Sequence, residues 1–166
     1  VLTGVDDHNR ERATRFAGLV GARFPEIPTA LAGYATDAVV RLSAAGLLEP
    51  APENALGGRR LFGFCGIARP ESFQRTVQAA GLEMGGFLPL ADHQRYVPAV
   101  LERIGNRAGQ AGAEALVTTE KDLVKLAGRA ADLALPVYAL RRRVVLDPAF
   151  AASLLASVRE RAGLPG

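Results

Sequence analysis

Leu61-Phe62-Gly63-Phe64-Cys65-Gly66-Ile67-Ala68-Arg69-Pro70-Glu71-Ser72-Phe73 joins a short apolar run to the start of a helix. From Leu61 to Ile67 no polar residue alternates with the apolar ones, the pattern of a strand covered on both faces. Pro70 then stands where proline is favoured, at the first helical position. Phe73, Val77 and Ala80 recur on one face of that helix, and Gly81 ends it. The same alternation continues downstream. Leu82 to Leu90 reads as a second strand, weakened by Gly85-Gly86, and Pro98 opens a helix carrying Val100, Leu101 and Ile104 that stops near Gly112. Ala115-Leu116-Val117-Thr118-Thr119 is a third strand, Asp122 to Leu133 a helix, and Pro136 to Leu146 contains a fourth strand. Asp147 as N-cap and Pro148 after it begin a last helix to about Ala162. Strands alternating with helices imply right-handed crossovers and a mostly parallel sheet. The expected fold is α/β: a Rossmann-like, mostly parallel sheet flanked by helices.

Upstream the pattern is less regular. Val1 to Asp7 reads as the end of a strand and a polar turn, and Asn9 to Val20 as a helix with Ala13, Phe16, Ala17 and Val20 at helical spacing. Pro25 and Pro28 interrupt it. Asp37 to Leu42 suits a strand or a helical turn, and periodicity does not choose between them. Glu49-Pro50-Ala51-Pro52-Glu53 with Gly57-Gly58 reads as a linker, because proline and glycine end regular structure. The expected division is therefore residues 1–56, the end of one lobe with its linker, and residues 57–166, an α/β lobe.

A chain of 166 residues buries roughly 70% of its unfolded surface, enough for a core without disulfide or metal. No metal site is expected. Cys65 is the single cysteine, so no internal disulfide forms; in an apolar run it reads as a small buried hydrophobe, and a reducing compartment suits it. A net charge of +3 gives no case for nucleic acid. No apolar stretch approaches the ~18 residues that span a bilayer, and no signal peptide is read. The opening Val1-Leu2-Thr3, without methionine, suggests a cut through a longer protein.

Three segments fall at expected strand ends, where an open α/β sheet collects ligands. In Gly66-Ile67-Ala68-Arg69-Pro70, free backbone N–H groups at a helix start suit an anion and Arg69 suits phosphate; equally, Gly66 permits a turn and Arg69 is solvated. In Asp92-His93, with Tyr96 three residues on, the histidine beside an acid suits a general base or the orienting partner of one; equally, Asp92 caps a local turn and His93 is satisfied at the surface. Thr118-Thr119-Glu120-Lys121-Asp122 offers hydroxyls, a cation and carboxylates to phosphate or a sugar hydroxyl, while Thr119 and Asp122 also have the spacing of a capping box. Arg141-Arg142-Arg143 reads as a charged edge strand or a weak contact with anionic lipid. Asp6 and Asp7 suit a nucleotide or metal, or cap the next helix.

In order and wording these segments resemble the carboxy-terminal half of the tetraacyldisaccharide 4'-kinase family. Phe64-Cys65-Gly66-Ile67-Ala68-Arg69-Pro70-Glu71-Ser72-Phe73 is similar to its F-x-G-I-x-x-P-x-x-F segment, and Asp92-His93 with Tyr96 to its D-H-x-x-Y/F segment. Thr119-Glu120-Lys121-Asp122 is similar to its T-E-K-D segment and Leu135-Pro136-Val137 to its closing L-P-V strand. Gln94 stands where many relatives carry a second histidine. The resemblance implies a two-lobed, P-loop-type kinase that moves the γ-phosphate of ATP, with Mg²⁺, to the 4'-hydroxyl of the tetraacyl disaccharide 1-phosphate precursor of lipid A. It places that enzyme at the cytoplasmic face of the bacterial inner membrane. His93 would match the histidine that partners an aspartate base in the nucleotide-binding half, with Asp92 beside it. Arg69, Tyr96, Thr119, Glu120, Lys121 and Asp122 would face phosphate or sugar. No G-x-x-x-x-G-K-S/T run occurs in the 166 residues, so the phosphate cradle is expected elsewhere and this piece is expected to be inactive alone. A non-catalytic Rossmann-like nucleotide- or ligand-binding module is the alternative reading.

Overall fold

A computed structural model of the chain describes residues 1–43, 45–52 and 54–163. Among the described residues seven strands and five α-helices follow one another as β1 (Leu2–Val5), α1 (Arg10–Arg23), β2 (Leu31–Leu42), β3 (Leu48–Pro50), β4 (Leu61–Cys65), α2 (Pro70–Ala79), β5 (Met84–Pro89), α3 (Pro98–Gln110), β6 (Ala115–Thr119), α4 (Glu120–Lys125), β7 (Val137–Leu146) and α5 (Pro148–Ala162). Two compact units result: residues 1–35 with 142–166, and residues 36–141. The division falls within β2 and β7, not at a linker. The proline- and glycine-rich stretch expected to separate lobes is part of the larger unit: β3 pairs antiparallel with β2 through Val40–Pro50, and Ala55 and Leu56 are buried. Apolar side chains on either side of its prolines explain why it packs. Glu53 lies outside the described residues.

In the larger unit the strands run β2-β7-β6-β4-β5. β5, β4, β6 and β7 are mutually parallel, with Cys65 level with Pro89, Gly63 with Val117, and Thr119 with Leu140. β5, β4 and β6 therefore end along one edge, while β7 runs on past Leu140 to Leu146. Side chains alternate across each strand. Phe62, Phe64, Leu116 and Ala139 enter one core with Leu101 and Ile104 of α3 and Leu123 of α4, while Leu61, Cys65, Val117 and Leu140 enter the other with Phe73 and Val77 of α2. The sheet is thus covered on both faces, as the continuous apolar runs require. Gly86 belongs to this packing: a Cβ there would lie 2.8 Å from the Phe62 ring, so the glycine pair in β5 makes room for an aromatic.

The helix expected over residues 122–133 is shorter. α4 ends at Lys125, and Ala130–Asp132 forms a separate 3-10 turn. Gly128, at φ +75°, needs a backbone conformation incompatible with a continuing helix. β2 is a strand throughout, which settles the open choice at Asp37 to Leu42. The triple arginine lies in β7 beyond its pairing with β6, whose register closes at Thr119–Leu140. Arg141 pairs with Glu120 and Arg142 lies over the Tyr34 ring, so partners rather than solvent explain those two charges.

In the smaller unit β1 pairs parallel with the start of β2. Asp6 accepts the amides of His8 and Asn9 in the turn ahead of α1, whose N-cap, Asn9, makes no side-chain capping bond. Asp147 accepts the Phe150 amide, with Pro148 in the first turn of α5, as expected. Neither α1 nor α5 has a buried residue. Among the described residues no helix is long and apolar enough to cross a membrane.

Candidate functional site

Three turns leave the carboxyl ends of adjacent parallel strands: 66–69 after β4, 90–97 after β5, and the β6–α4 junction at Thr119. Their neighbourhood follows from strand order alone. Thr119 caps α4: its Oγ1 accepts the Asp122 amide at 3.1 Å and donates to Asp122 Oδ2 at 2.8 Å. Thr119 is the N-cap its spacing predicted, while the Asp122 carboxylate receives the Thr119 hydroxyl rather than closing a capping box on its backbone N–H. Asp122 Oδ2 also accepts the Gly66 amide at 2.9 Å, and its Oδ1 accepts Lys125 Nζ at 3.0 Å. The side chain is fully buried. Removing one partner of a buried ion pair typically costs about 3–5 kcal/mol, because an uncompensated charge remains.

Gly66 does not offer its N–H to an external anion, since Asp122 takes it. Its second property is closeness: a Cβ would sit 2.9 Å from Gln94 Cβ and 3.0 Å from the Ala91 carbonyl. Only glycine lets the first and second turns approach this far. Leu90 donates its amide to the Cys65 carbonyl at 2.9 Å, fixing the same approach from the backbone. Cys65 is buried and unreactive in character: burial, then the Asp122 charge, push its thiol up to about 12.

Asp92 and His93 are exposed at the mouth of these turns. His93 adopts φ +57°, the left-handed region that non-glycine residues seldom occupy. Its amide donates to Asp92 Oδ1 at 2.9 Å, which holds that conformation, and its Nε2 lies 3.8 Å from Asp92 Oδ2. Neighbours in the chain thus face one another. Lys121 Nζ lies 3.6 Å from Asp92 Oδ1, joining the β5 and β6 turns. Desolvation, the largest single influence, pushes the Asp92 carboxyl up, but the His93 amide, the His93 ring and Lys121 together draw it below its ordinary 3.8.

The other expected site residues separate by exposure. Arg69 is exposed at the N-cap of α2, on the same strand-end edge. Glu120 is held by Arg141 Nε at 2.8 Å. Tyr96 is buried with its ring edge-on to Phe64, and its hydroxyl, close to the Asp122 carboxylate, has no hydrogen-bond partner. Burial, then that carboxylate, raise its pKa. Asp122 and Tyr96 therefore work from beneath the surface, whereas Arg69, Asp92, His93 and Lys121 face outward. Sequence reading missed Lys125, although its i+3 spacing from Asp122 marks a helical ion pair. It also missed Arg129, whose Nη1 donates to the Tyr96 carbonyl at 2.8 Å.

These features define a Rossmann-like α/β protein with a charged rim where its parallel strands end. The chain belongs to the tetraacyldisaccharide-1-P 4'-kinase family, LpxK, whose sequence profile matches residues 8–159. It is 39% identical over 92 residues to a tetraacyldisaccharide 4'-kinase of Desulfotalea psychrophila, covering 55% of this chain and 26% of that protein. The enzyme of the same name from Anaeromyxobacter dehalogenans is 36% identical over 172 residues, covering 88% of this chain and 45% of that one. The chain thus spans between about a quarter and just under half of these two relatives. A crystal structure of LpxK from Aquifex aeolicus in complex with ATP superposes with a TM-score of 0.52 at 22% identity, over 78% of this chain and 36% of that one. At that identity the likeness speaks for the fold, and the α/β architecture agrees.

Proposed function

We propose that this chain is the carboxy-terminal α/β part of a lipid A biosynthesis kinase that transfers the ATP γ-phosphate to the 4'-hydroxyl of tetraacyldisaccharide 1-phosphate at the cytoplasmic face of the inner membrane. The observation that carries the reading is the meeting of Asp92, His93 and Lys121, within 3.6–3.8 Å, at the carboxyl ends of β5 and β6. In this reading His93 orients or tunes a carboxylate base supplied by the nucleotide-binding half, and Asp92 fixes the His93 ring. Arg69 and Lys121 place positive charge beside the phosphate or the sugar head group. Phosphoryl transfer depends on positioning and charge stabilisation, which such a rim supplies in part and a phosphate cradle completes.

Among the described residues no three His, Cys, Asp or Glu side chains gather into a possible metal site, and the Asp92 carboxylate already holds Lys121 and the His93 amide.

Incubated alone with ATP, Mg²⁺ and the lipid substrate, the chain should form no phosphorylated product; measurable turnover overturns the division of labour. Joined to a nucleotide-binding half that restores turnover, His93→Ala should lower kcat by about 10²-fold or more, the scale of lost acid–base assistance. An unchanged kcat removes His93 from the mechanism. Calorimetric titration of the isolated chain with nucleotides addresses the binding-module reading, since such a module binds unaided.

A further inference from the structure

Asp122 is too deeply buried to touch a substrate, yet it sits directly below the residues assigned to chemistry. We infer that Asp122 is a positioning residue, a buried clamp that holds the Asp92–His93 turn in register with Lys121. The inference rests on the kinase reading for its consequence in turnover, but its geometry stands independently.

Two tethers link the start of α4 to the β5 turn. The outer one is the exposed Lys121–Asp92 pair, at 3.6 Å. Such pairs are weak and screened by salt. The inner tether runs through Asp122, whose Oδ2 receives the Gly66 amide at 2.9 Å. Gly66 in turn lies against Ala91 and Gln94, the residues on either side of Asp92 and His93. The far end of that turn is seated by Tyr96, whose ring lies under Lys125 Nζ at 5.9 Å. Lys125 also neutralises Asp122, at 3.0 Å. One carboxylate therefore fixes the turn carrying Asp92 and His93 from both ends, through Gly66 and through the Tyr96–Lys125 contact. It is sequence-adjacent to Lys121, so displacement of one shifts the other. A left-handed His93 needs such support, because its conformation is costly unless the surroundings impose it.

The test uses Asp122→Asn, which keeps volume and a carbonyl acceptor but removes the charge, alongside Asp122→Ala. Native-state amide exchange is read at Gly66, His93 and Gln94, with Leu116 and Val117 of β6 as internal controls. In Asp122→Asn, exchange at the three turn amides should quicken at least tenfold while the β6 amides stay within twofold, and the His93 ring resonances should shift. Unchanged turn amides, or equal acceleration of turn and strand amides, overturn the proposal, the second because Asp122 would then serve global stability alone. Should Asp122→Ala fail to fold, the Asn variant still decides. In a form competent for turnover, Asp122→Asn should lower kcat at least tenfold with KM for the lipid within twofold. A rise in KM with kcat intact overturns the positioning role. Absence of kinase activity in every form would refute the kinase reading and leave the exchange result to judge the clamp.

Discussion

Asp92 shows how much chemistry one exposed carboxylate can collect. It accepts an amide from His93, faces its ring and pairs with Lys121. Its folded pKa is drawn below 3.8. The ionised form is therefore favoured by folding: the stabilisation is present above the unfolded value and is lost as pH falls through the lower folded one. A carboxyl ¹³C titration should place its midpoint below 3.8, and Lys121→Ala should move that midpoint upward. A midpoint that ignores the substitution would show that Lys121 and Asp92 do not pair in solution. At the same scale, Thr119 was legible as a cap from its spacing to Asp122. The third partner of that carboxylate, Gly66, lies 56 residues away, and no local pattern announces it.

Among the elements, α2 shows periodicity translated directly into packing. Phe73 and Val77, spaced four residues apart, are both buried in the core on one face of the sheet. Phe73 also stacks with Phe87 of β5, ring centroids 6.1 Å apart. Phe73→Ala should lower the unfolding free energy by about 3–5 kcal/mol, measured by urea denaturation, while the His93 resonances keep their native positions. A loss below about 1 kcal/mol would place the mutation among surface-like changes and contradict the packing of α2. The α4 region went the other way, since apolar spacing over residues 122–133 looked continuous and the left-handed Gly128 divides it. In β7 the pairing with β6 stops at Leu140, ahead of Arg141 to Arg143, because where a strand finds a partner is fixed by long-range register rather than by its own residues.

At the scale of the whole molecule the two units differ in what they bury. Residues 36–141 contain both apolar clusters, whereas α1 and α5 in the other unit have no buried residue and leave Phe16, Leu19, Leu154, Leu155 and Val158 exposed. Local stability follows buried contacts. Hydrogen exchange of the 166-residue chain should accordingly show the strongest protection in β4 and β6 and much weaker protection in α1 and α5. Equal protection across both units would contradict that ordering.

By itself the sequence determined the alternation of strand and helix, the order of the three strand-end turns, and the family to which their wording belongs. Those are local quantities: periodicity, capping spacing, and the conformational limits of proline and glycine. Tertiary structure alone decided that Asp122 points inward to Gly66, that Asp92 meets Lys121, and that the proline-rich stretch packs instead of linking. Each of these is a contact between segments brought together by strand pairing, and pairing depends on the whole sheet's burial rather than on any one stretch of residues.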